Sequence, residues 1–214
     1  MNGMETAYIF AEKNVKSLSF AVDIVDGFSQ ERSLIGETRV FLKENGLHAF
    51  KNQSKYYIFM DLIGDKFTLR IENKYYFDRE LPVTISVLDA NYPVVSVFLI
   101  PNCIYPFPTG STLIRGRVSD NNNGNPVAGA SIKIAGKTVA NQSDINGCFV
   151  LYFGALTEDD IGMQNRHRYI KVNNDTKIEL KVEHPNYTSK TETIGKVEEG
   201  DTVILKTPVT LDPL

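Results

Sequence analysis

The stretch I-E-L-K-V-E-H-P-N-Y, residues 178–187, alternates apolar side chains with charged ones and then ends in a tyrosine. In an extended chain Ile178, Leu180 and Val182 lie on one face, and the glutamates and lysine between them lie on the other. This period of two is typical of a β-strand with one buried and one exposed face. Residues 67–76, F-T-L-R-I-E-N-K-Y-Y, repeat the pattern and the final tyrosine.

The repeat extends to the start of each half. Alternating strands are predicted at residues 18–24 and 37–42, and again at 114–120 and 130–134. In the first of them Phe20 is expected to face the core and Asp23 to face solvent. Short strands separated by turns favour a β-sandwich over a barrel or a βαβ array. The sequence therefore predicts an all-β protein made of two similar sandwich domains.

A proline-rich segment lies between the two halves. Residues 101–110 read P-N-C-I-Y-P-F-P-T-G, and their prolines are incompatible with a central strand and favour a stiff, extended connection. We place the boundary at Pro108, which gives an N-terminal domain of residues 1–108 and a C-terminal domain of residues 109–214. Each domain is then large enough to bury a core without disulfides or metal ions.

Composition excludes several classes of function. The net charge is -3, with 11 basic and 13 acidic residues in 1–108 and 12 and 13 in 109–214, so neither half has the basic excess that nucleic-acid binding needs. The longest apolar run, residues 93–100, is too short to span a membrane. With no signal peptide recognised, we expect a soluble cytoplasmic protein. Cys103 and Cys148 are expected to be free thiols, with their redox state left open.

Two local signals predict particular turns. Asn146-Gly147 lies between two apolar segments and is typical of a type I′ β-hairpin. Thr157 precedes Glu-Asp-Asp in residues 156–161 and could cap one short helical turn.

With both halves laid out, the second resembles the carboxypeptidase regulatory-like domain. The matching motifs are I-R-G-R-V-S-D at 114–120, P-V-A-G-A-S-I at 126–132, S-D-I-N-G-C-F at 143–149 and V-E-H-P-N-Y at 182–187. Asn186 stands where the family usually has glycine. The first half resembles the family more loosely and has S-L-I-G-E at 33–37 in place of the P-V-x-G-A run. The resemblance implies two tandem transthyretin-like, Greek-key β-sandwiches whose motifs are structural rather than catalytic.

The sequence carries no recognisable catalytic or metal-binding motif. The three histidines, His48, His167 and His184, are far apart and none begins an H-E-x-x-H motif, so zinc-peptidase chemistry is not predicted. A G-x-S-x-G elbow and a P-loop are also absent. Residues 120–125 and 144–146 faintly resemble calcium loops, but turn chemistry accounts for them. We predict no enzymatic activity, no catalytic residue, no metal and no cofactor.

The clearest functional signal is a difference in length between the two halves. Phe59 and Leu69 are 10 residues apart, whereas Phe149 and Leu180, which we take as their counterparts, are 31 apart. About 21 extra residues therefore fall within 154–177. A long loop on a rigid sandwich often binds a partner, although a tolerated surface insertion explains the length equally well. The candidate partner-binding residues are Asp159, Asp160, Arg166, His167 and Arg168 in this insertion, and Tyr105 and Phe107 in the proline-rich segment.

These observations favour a non-catalytic structural or interaction module that presents loops and sheet edges to a protein partner or a larger assembly. Two alternatives stay open. One is carbohydrate binding through exposed aromatic rings, for which Tyr75, Tyr105 and Phe107 are the candidates. The other is an accessory or adaptor role in a bacterial phage-tail-like contractile particle, which would make the protein particle-associated; this alternative rests on fold-level analogy.

Overall fold

The structure is a computed structural model and describes residues 16–154, 156–173 and 175–214. Residues 1–15 of the predicted first domain lie outside the described residues, as do Ala155 and Asn174 of the predicted insertion. The strands of the first half are β1 Leu18–Asp26, β2 Thr38–Leu42, β3 Phe50–Lys51, β4 Tyr57–Met60, β5 Lys66–Asn73, β6 Arg79–Thr84 and β7 Val94–Leu99. A 3₁₀ turn at Ile85–Val87 follows β6.

The described part of the second half contains ten strands and one 3₁₀ turn, Glu158–Asp160. The strands are β8 Leu113–Asp120, β9 Ser131–Ile134, β10 Ala140–Gln142, β11 Cys148–Tyr152, β12 Ile161–Gln164, β13 His167–Ile170, β14 Ile178–His184, β15 Tyr187–Gly195, β16 Thr202–Ile204 and β17 Val209–Leu211. Strands make up 50% of the described residues and helices 3%, which confirms the all-β prediction.

Two sheets form the first half, in the orders β3-β4-β1-β7 and β2-β5-β6. Their inner faces enclose one apolar cluster, because alternate residues of each strand point inward. Phe20 and Phe59, which are cross-strand partners, stack in it with ring centroids 4.8 Å apart. The same cluster includes Val22, Ile24, Leu42, Leu69, Ile71 and Leu99.

The second half repeats this arrangement with the sheets β10-β9-β14-β15 and β11-β8-β16, where β17 continues alongside β8. A separate apolar cluster fills the space between them and includes Ile114, Ile132, Phe149, Leu151, Leu180 and Val182. Every strand pairing in the described part of the chain joins two strands of the same half.

The repeated tyrosine makes the same contact in both halves. In the first, Tyr76 donates its hydroxyl proton to the Asp26 carboxylate at the end of β1, with 2.7 Å between the oxygens. In the second, Tyr187 donates to Asp120 at the end of β8, at 3.1 Å. Each tyrosine therefore ties the chain that follows an alternating strand to the end of the first strand of its own sandwich.

The backbone around these two aspartates matches as well. Asp26 pairs in parallel with Leu99 of β7, and Asp120 pairs in parallel with Leu211 of β17. The next residue in each half, Gly27 or Asn121, donates its N–H to the carbonyl of that leucine at 2.9 Å. The two halves thus share strand directions and registers as well as a sequence pattern.

One predicted surface residue is in fact covered. Asp23 lies on the outer face of β1, as its alternation requires, but it is only 8% exposed. Arg32, in the loop after β1, reaches back over the sheet and donates to the Asp23 carboxylate at 2.7 Å. The expectation of a solvent-facing Asp23 was therefore wrong, because that loop folds over this part of the sheet.

The Asn146-Gly147 turn also differs from its prediction. Of the two residues only Gly147 has a positive φ, of 72°, whereas a type I′ turn needs both. Asp144 organises the turn by accepting the N–H groups of Asn146 and Cys148 at 2.8 and 2.9 Å. The turn connects β10 in one sheet to β11 in the other, so it does not close a hairpin.

Candidate functional site

Strand register gives the insertion a corrected length. In the first half Phe20 pairs with Phe59, and in the second the equivalent Ile114 pairs with Leu151. The true counterpart of Phe59 is thus Leu151, two residues after Phe149. Leu151 and Leu180 are 29 residues apart, against 10 for Phe59 and Leu69, so the insertion is 19 residues long rather than 21. Apolar alternation alone could not fix this register, since Phe149 and Leu151 point the same way.

The insertion folds into a β-hairpin. Strands β12 and β13 pair antiparallel, and Gln164 opposite His167 leaves a two-residue loop. Both loop residues, Asn165 and Arg166, have positive φ angles, of 51° and 69°. This is the type I′ geometry that the sequence analysis assigned to Asn146-Gly147. The sequence signal was weak here because arginine is uncommon in the left-handed region.

One face of the hairpin belongs to the core. Ile161 of β12 and Ile170 of β13 are opposite each other, and both are buried in the second apolar cluster together with Val172. Backbone bonds fix the hairpin on its other side, because Ile170 donates to the Val197 carbonyl and Glu199 donates to the Arg168 carbonyl, both at 2.9 Å. The hairpin is therefore an integral part of the sandwich, which leaves only its outer face and tip for a partner.

Two of the predicted binding residues are used within the fold. Asp160 accepts from the Lys137 ammonium and from the Thr157 hydroxyl at 2.8 Å, and these bonds lower the pKa of Asp160 to about 2. Thr157 also donates its N–H to Asp160 at 3.1 Å, which confirms it as the cap of the short helical turn. Arg168 donates to Glu199 and Glu158, and these hydrogen bonds raise the pKa of its guanidinium.

The remaining predicted residues of the hairpin lie at its surface. His167 is exposed and contacts Glu198 through its imidazole, and Asp159 and Arg166 are exposed. Met163 of β12, which is 68% exposed, was not among the predicted residues. The sequence carried no signal for its exposure, because Met163 lies two residues after the buried Ile161 and alternation places both on the same face of the strand. We call Met163, Asn165 and Arg166 the hairpin tip.

The two aromatic candidates in the proline-rich segment have structural roles. Tyr105 is only 4% exposed and donates its hydroxyl proton to Asp26 at 2.6 Å. The prediction that Tyr105 contacts a partner or a carbohydrate was therefore wrong, because the residue belongs to the core. Burial, and then the bond to Asp26, raise the pKa of Tyr105. Phe107 is half-buried and packs against Tyr105 and Phe28, with centroids 4.6 and 5.0 Å away.

The same segment rests against the outer face of the sheet β11-β8-β16. Arg115 of β8 donates to the Cys103 carbonyl at 2.7 Å and lies 5.4 Å from the centroid of the Phe107 ring. Tyr152 of β11 packs between Phe107 and Phe28, at 5.5 and 5.7 Å. Burial raises the pKa of Tyr152 to about 12. The proline-rich segment, residues 101–110, is thereby fixed to both halves, and we call it the link.

An uncovered strip of this sheet forms a groove beside the link. Two adjoining cavities of ≈ 570 and ≈ 410 Å³ share Cys103, Ile104, Arg117, Cys148 and Pro208. We call them together the link groove, and its principal lining residues are Ile104, Arg115, Arg117, Cys148, Ile204 and Lys206. Its two cysteines are free thiols, and burial raises the pKa of Cys103 to about 12.

The predicted calcium-like segments form turns through their own side chains. Asp120 accepts the N–H of Asn122 at 2.7 Å, and Asp144 closes its own turn in the same way. Among residues 16–154, 156–173 and 175–214 no group of three or more His, Cys, Asp or Glu side chains is placed to hold a metal ion. Within the same residues no helix has the length and apolar character of a membrane span.

Comparison with known proteins finds a family model similar to the second half. The family model described as the CarboxypepD_reg-like domain matches residues 114–195. No curated protein matches the sequence.

Among solved structures, the Bacillus anthracis TIE protein is 12% identical over 92% of this chain and 34% of its own, with a TM-score of 0.33. A streptococcal ancillary pilin is 11% identical over 91% and 62%, with a TM-score of 0.28. A variant of the shaft pilin SpaA from Lactobacillus rhamnosus GG is 8% identical over 94% and 98%, with a TM-score of 0.30. The chain thus spans about a third of the first of these proteins and under two thirds of the second. The family match confirms the resemblance drawn from the motifs of the second half, because residues 114–195 match the model of the CarboxypepD_reg-like domain.

Proposed function

We propose that the protein is a non-catalytic interaction module that uses the hairpin tip to bind a protein partner. The observation that carries this proposal is the 19-residue insertion, which forms a hairpin anchored in the core and projects Met163 and Arg166 into solvent. A surface held by a rigid scaffold loses little conformational freedom on binding.

The composition of the tip supports the same role. Methionine and arginine are enriched at protein interfaces, whereas lysine and glutamate are depleted. The nearby charges of Arg168 and Asp160 are already paired within the chain, so they hold the hairpin in place. Of the predicted charged residues, Arg166 and Asp159 therefore remain as contacts for a partner.

The test is site-specific photo-cross-linking in cells that produce the full chain. A photoreactive residue at Met163 or Arg166 is expected to give a discrete adduct with one protein. The same residue at Ile63, which is almost fully exposed in the first half, serves as the control and should give none. Deleting the whole insertion is unsuitable, because Ile161 and Ile170 belong to the core.

A second variant checks that the tip itself supplies the contact. With the photoreactive group at Gln164, Met163→Asp combined with Arg166→Glu should abolish the adduct while the circular dichroism spectrum stays unchanged. The proposal is wrong if positions 163 and 166 cross-link no more specifically than position 63, or if the double variant retains the adduct.

A further inference from the structure

The link groove combines positive charge with exposed aliphatic side chains. Arg115, Arg117 and Lys206 line its two cavities, against a single carboxylate, Asp144. That carboxylate is already engaged by backbone N–H groups of its own turn. The chain as a whole has a net charge of -3, so the groove differs in sign from the rest of the molecule.

Two of these cations have no partner in the described part of the chain. The ion pairs formed there include neither Arg117 nor Lys206, and both residues are exposed. Arg115, in contrast, is held by the Cys103 carbonyl and the Phe107 ring. Arg117 and Lys206 are therefore free to receive the carboxylates of a ligand.

The aliphatic residues of the groove lie beside these charges. Ile104 of the link is 54% exposed and Ile204 of β16 is 67% exposed, and both line the larger cavity. The buried centre of a protein interface is more apolar than the rest of the surface and is enriched in arginine, so these side chains suit contact with a protein. Nucleic acid would use the charges but would leave the isoleucines without a role.

The shape of the groove favours an extended chain. Its cavities follow the outer face of β8, where side chains on one face repeat every two residues, about 7 Å apart. An extended peptide has the same repeat on each of its faces, so acidic and aliphatic side chains placed two residues apart on one face could match Arg117, Lys206 and the isoleucines in turn.

We propose that the link groove binds an extended acidic segment of a protein partner, in which carboxylates and aliphatic side chains take turns at every second residue and so lie on one face of the segment. This inference rests on the proposed role as a protein-binding module but uses a surface separate from the hairpin tip. Arg117 and Lys206 bind the carboxylates, and Ile104 and Ile204 contact the aliphatic side chains.

The test uses a fluorescein-labelled peptide of three Glu-Ser-Val-Ser repeats, in which glutamate and valine share one face of the extended chain, with the lysine–valine peptide of three Lys-Ser-Val-Ser repeats as the control. Fluorescence anisotropy at low salt is expected to show saturable binding of the acidic peptide only. Arg117→Glu and Lys206→Glu should each weaken that binding at least about tenfold. Arg79→Glu, the same charge change on an exposed arginine of β6, should leave the affinity within about twofold.

A native thiol locates the binding on the molecule. Cys148 lines the groove, so bound acidic peptide should slow its alkylation by iodoacetamide several-fold, as measured by mass spectrometry of the proteolytic fragment that contains Cys148. The proposal is overturned if the lysine–valine peptide binds equally well, if Arg117→Glu has no effect, if Cys148 is not protected, or if a DNA duplex displaces the peptide and binds more tightly. If any of these results is obtained while the hairpin tip still gives specific cross-links, only the proposal for the link groove is wrong. The proposed function of the hairpin tip is then retained.

Discussion

Four donors converge on the carboxylate of Asp26. The hydroxyls of Tyr76 and Tyr105 bond one oxygen at 2.7 and 2.6 Å, and the N–H groups of Phe28 and Ser29 bond the other at 2.7 and 3.2 Å. A buried charge is tolerated only when it is paired or fully hydrogen-bonded, and here hydrogen bonds alone satisfy it. Asp120 repeats part of this arrangement with Tyr187 and one backbone N–H.

Replacing Tyr105 by phenylalanine tests the importance of this contact. Removal of a buried hydrogen bond to a charged group costs about 1.5–3 kcal/mol, so Tyr105→Phe should lower the free energy of unfolding by that amount. The matched control is Tyr187→Phe. The Tyr187 hydroxyl makes a longer hydrogen bond, and the residue is half-exposed, so this variant should have a smaller effect. Urea unfolding followed by circular dichroism measures both, and equal losses would contradict the assignment of Tyr105 to the core.

The same bond predicts a loss of stability in alkali. Burial raises the pKa of Tyr105 above the value of 10.0 that applies when it is unfolded. The contribution of the Tyr105 hydroxyl to the free energy of unfolding is therefore fully present below pH 10. It is lost as pH rises toward the folded-state pKa, since ionisation then favours the unfolded chain. The stability difference between the natural protein and Tyr105→Phe should shrink between pH 9 and pH 11. Parallel stability curves over this range would show that the hydroxyl is not buried.

At the scale of the elements, alternation and turn chemistry had different predictive power. The alternating strands were predicted close to their true bounds, because a buried face requires a period of two: residues 178–187 contain β14 and the contact-forming Tyr187. The turn at Asn146-Gly147 was placed correctly but given the wrong geometry. Which strands pair across such a turn depends on tertiary packing, and the local residues do not encode it.

The candidate site was predictable only in outline. The length mismatch located the insertion, yet the hairpin at Asn165-Arg166 was missed because its turn lacks glycine. The pairing of Asp160 with Lys137, and the link groove itself, join residues far apart in the chain. A single sequence does not reveal contacts of this kind.

Arg166→Gly separates the fold of the hairpin from its proposed role. Arg166 has a φ of 69°, where glycine is more stable than other residues by about 1 kcal/mol, so the variant should be slightly more stable than the natural protein. If the Arg166 side chain contacts a partner, the same variant should nevertheless give weaker cross-linking from Gln164. Thermal unfolding and cross-linking yield are measured together. A variant that is more stable and cross-links fully would exclude Arg166 from the interface.

At the scale of the whole molecule, the proline-rich link belongs to both halves. Tyr105 completes the first core, whereas the Cys103 carbonyl and Phe107 contact Arg115 in the second half. Asn141 of β10 adds a further tie by donating to the Pro101 carbonyl at 3.1 Å. A boundary placed before the link would therefore remove a core side chain from the first half, and this supports the proposed division at Pro108.

Truncation tests this division directly. A fragment of residues 16–108 retains Tyr105 and should give a dispersed amide NMR spectrum, whereas a fragment of residues 16–100 leaves Asp26 without one of its donors and should unfold at lower urea concentration.

The complementary fragment, 109–214, lacks Phe28 and Phe107, so Tyr152 becomes exposed. Its pKa should then fall from about 12 toward 10, measured by ultraviolet titration against a Tyr152→Phe fragment. If Tyr152 keeps its raised pKa in the isolated half, its burial comes from the second sandwich alone, and the link does not join the two halves as we infer.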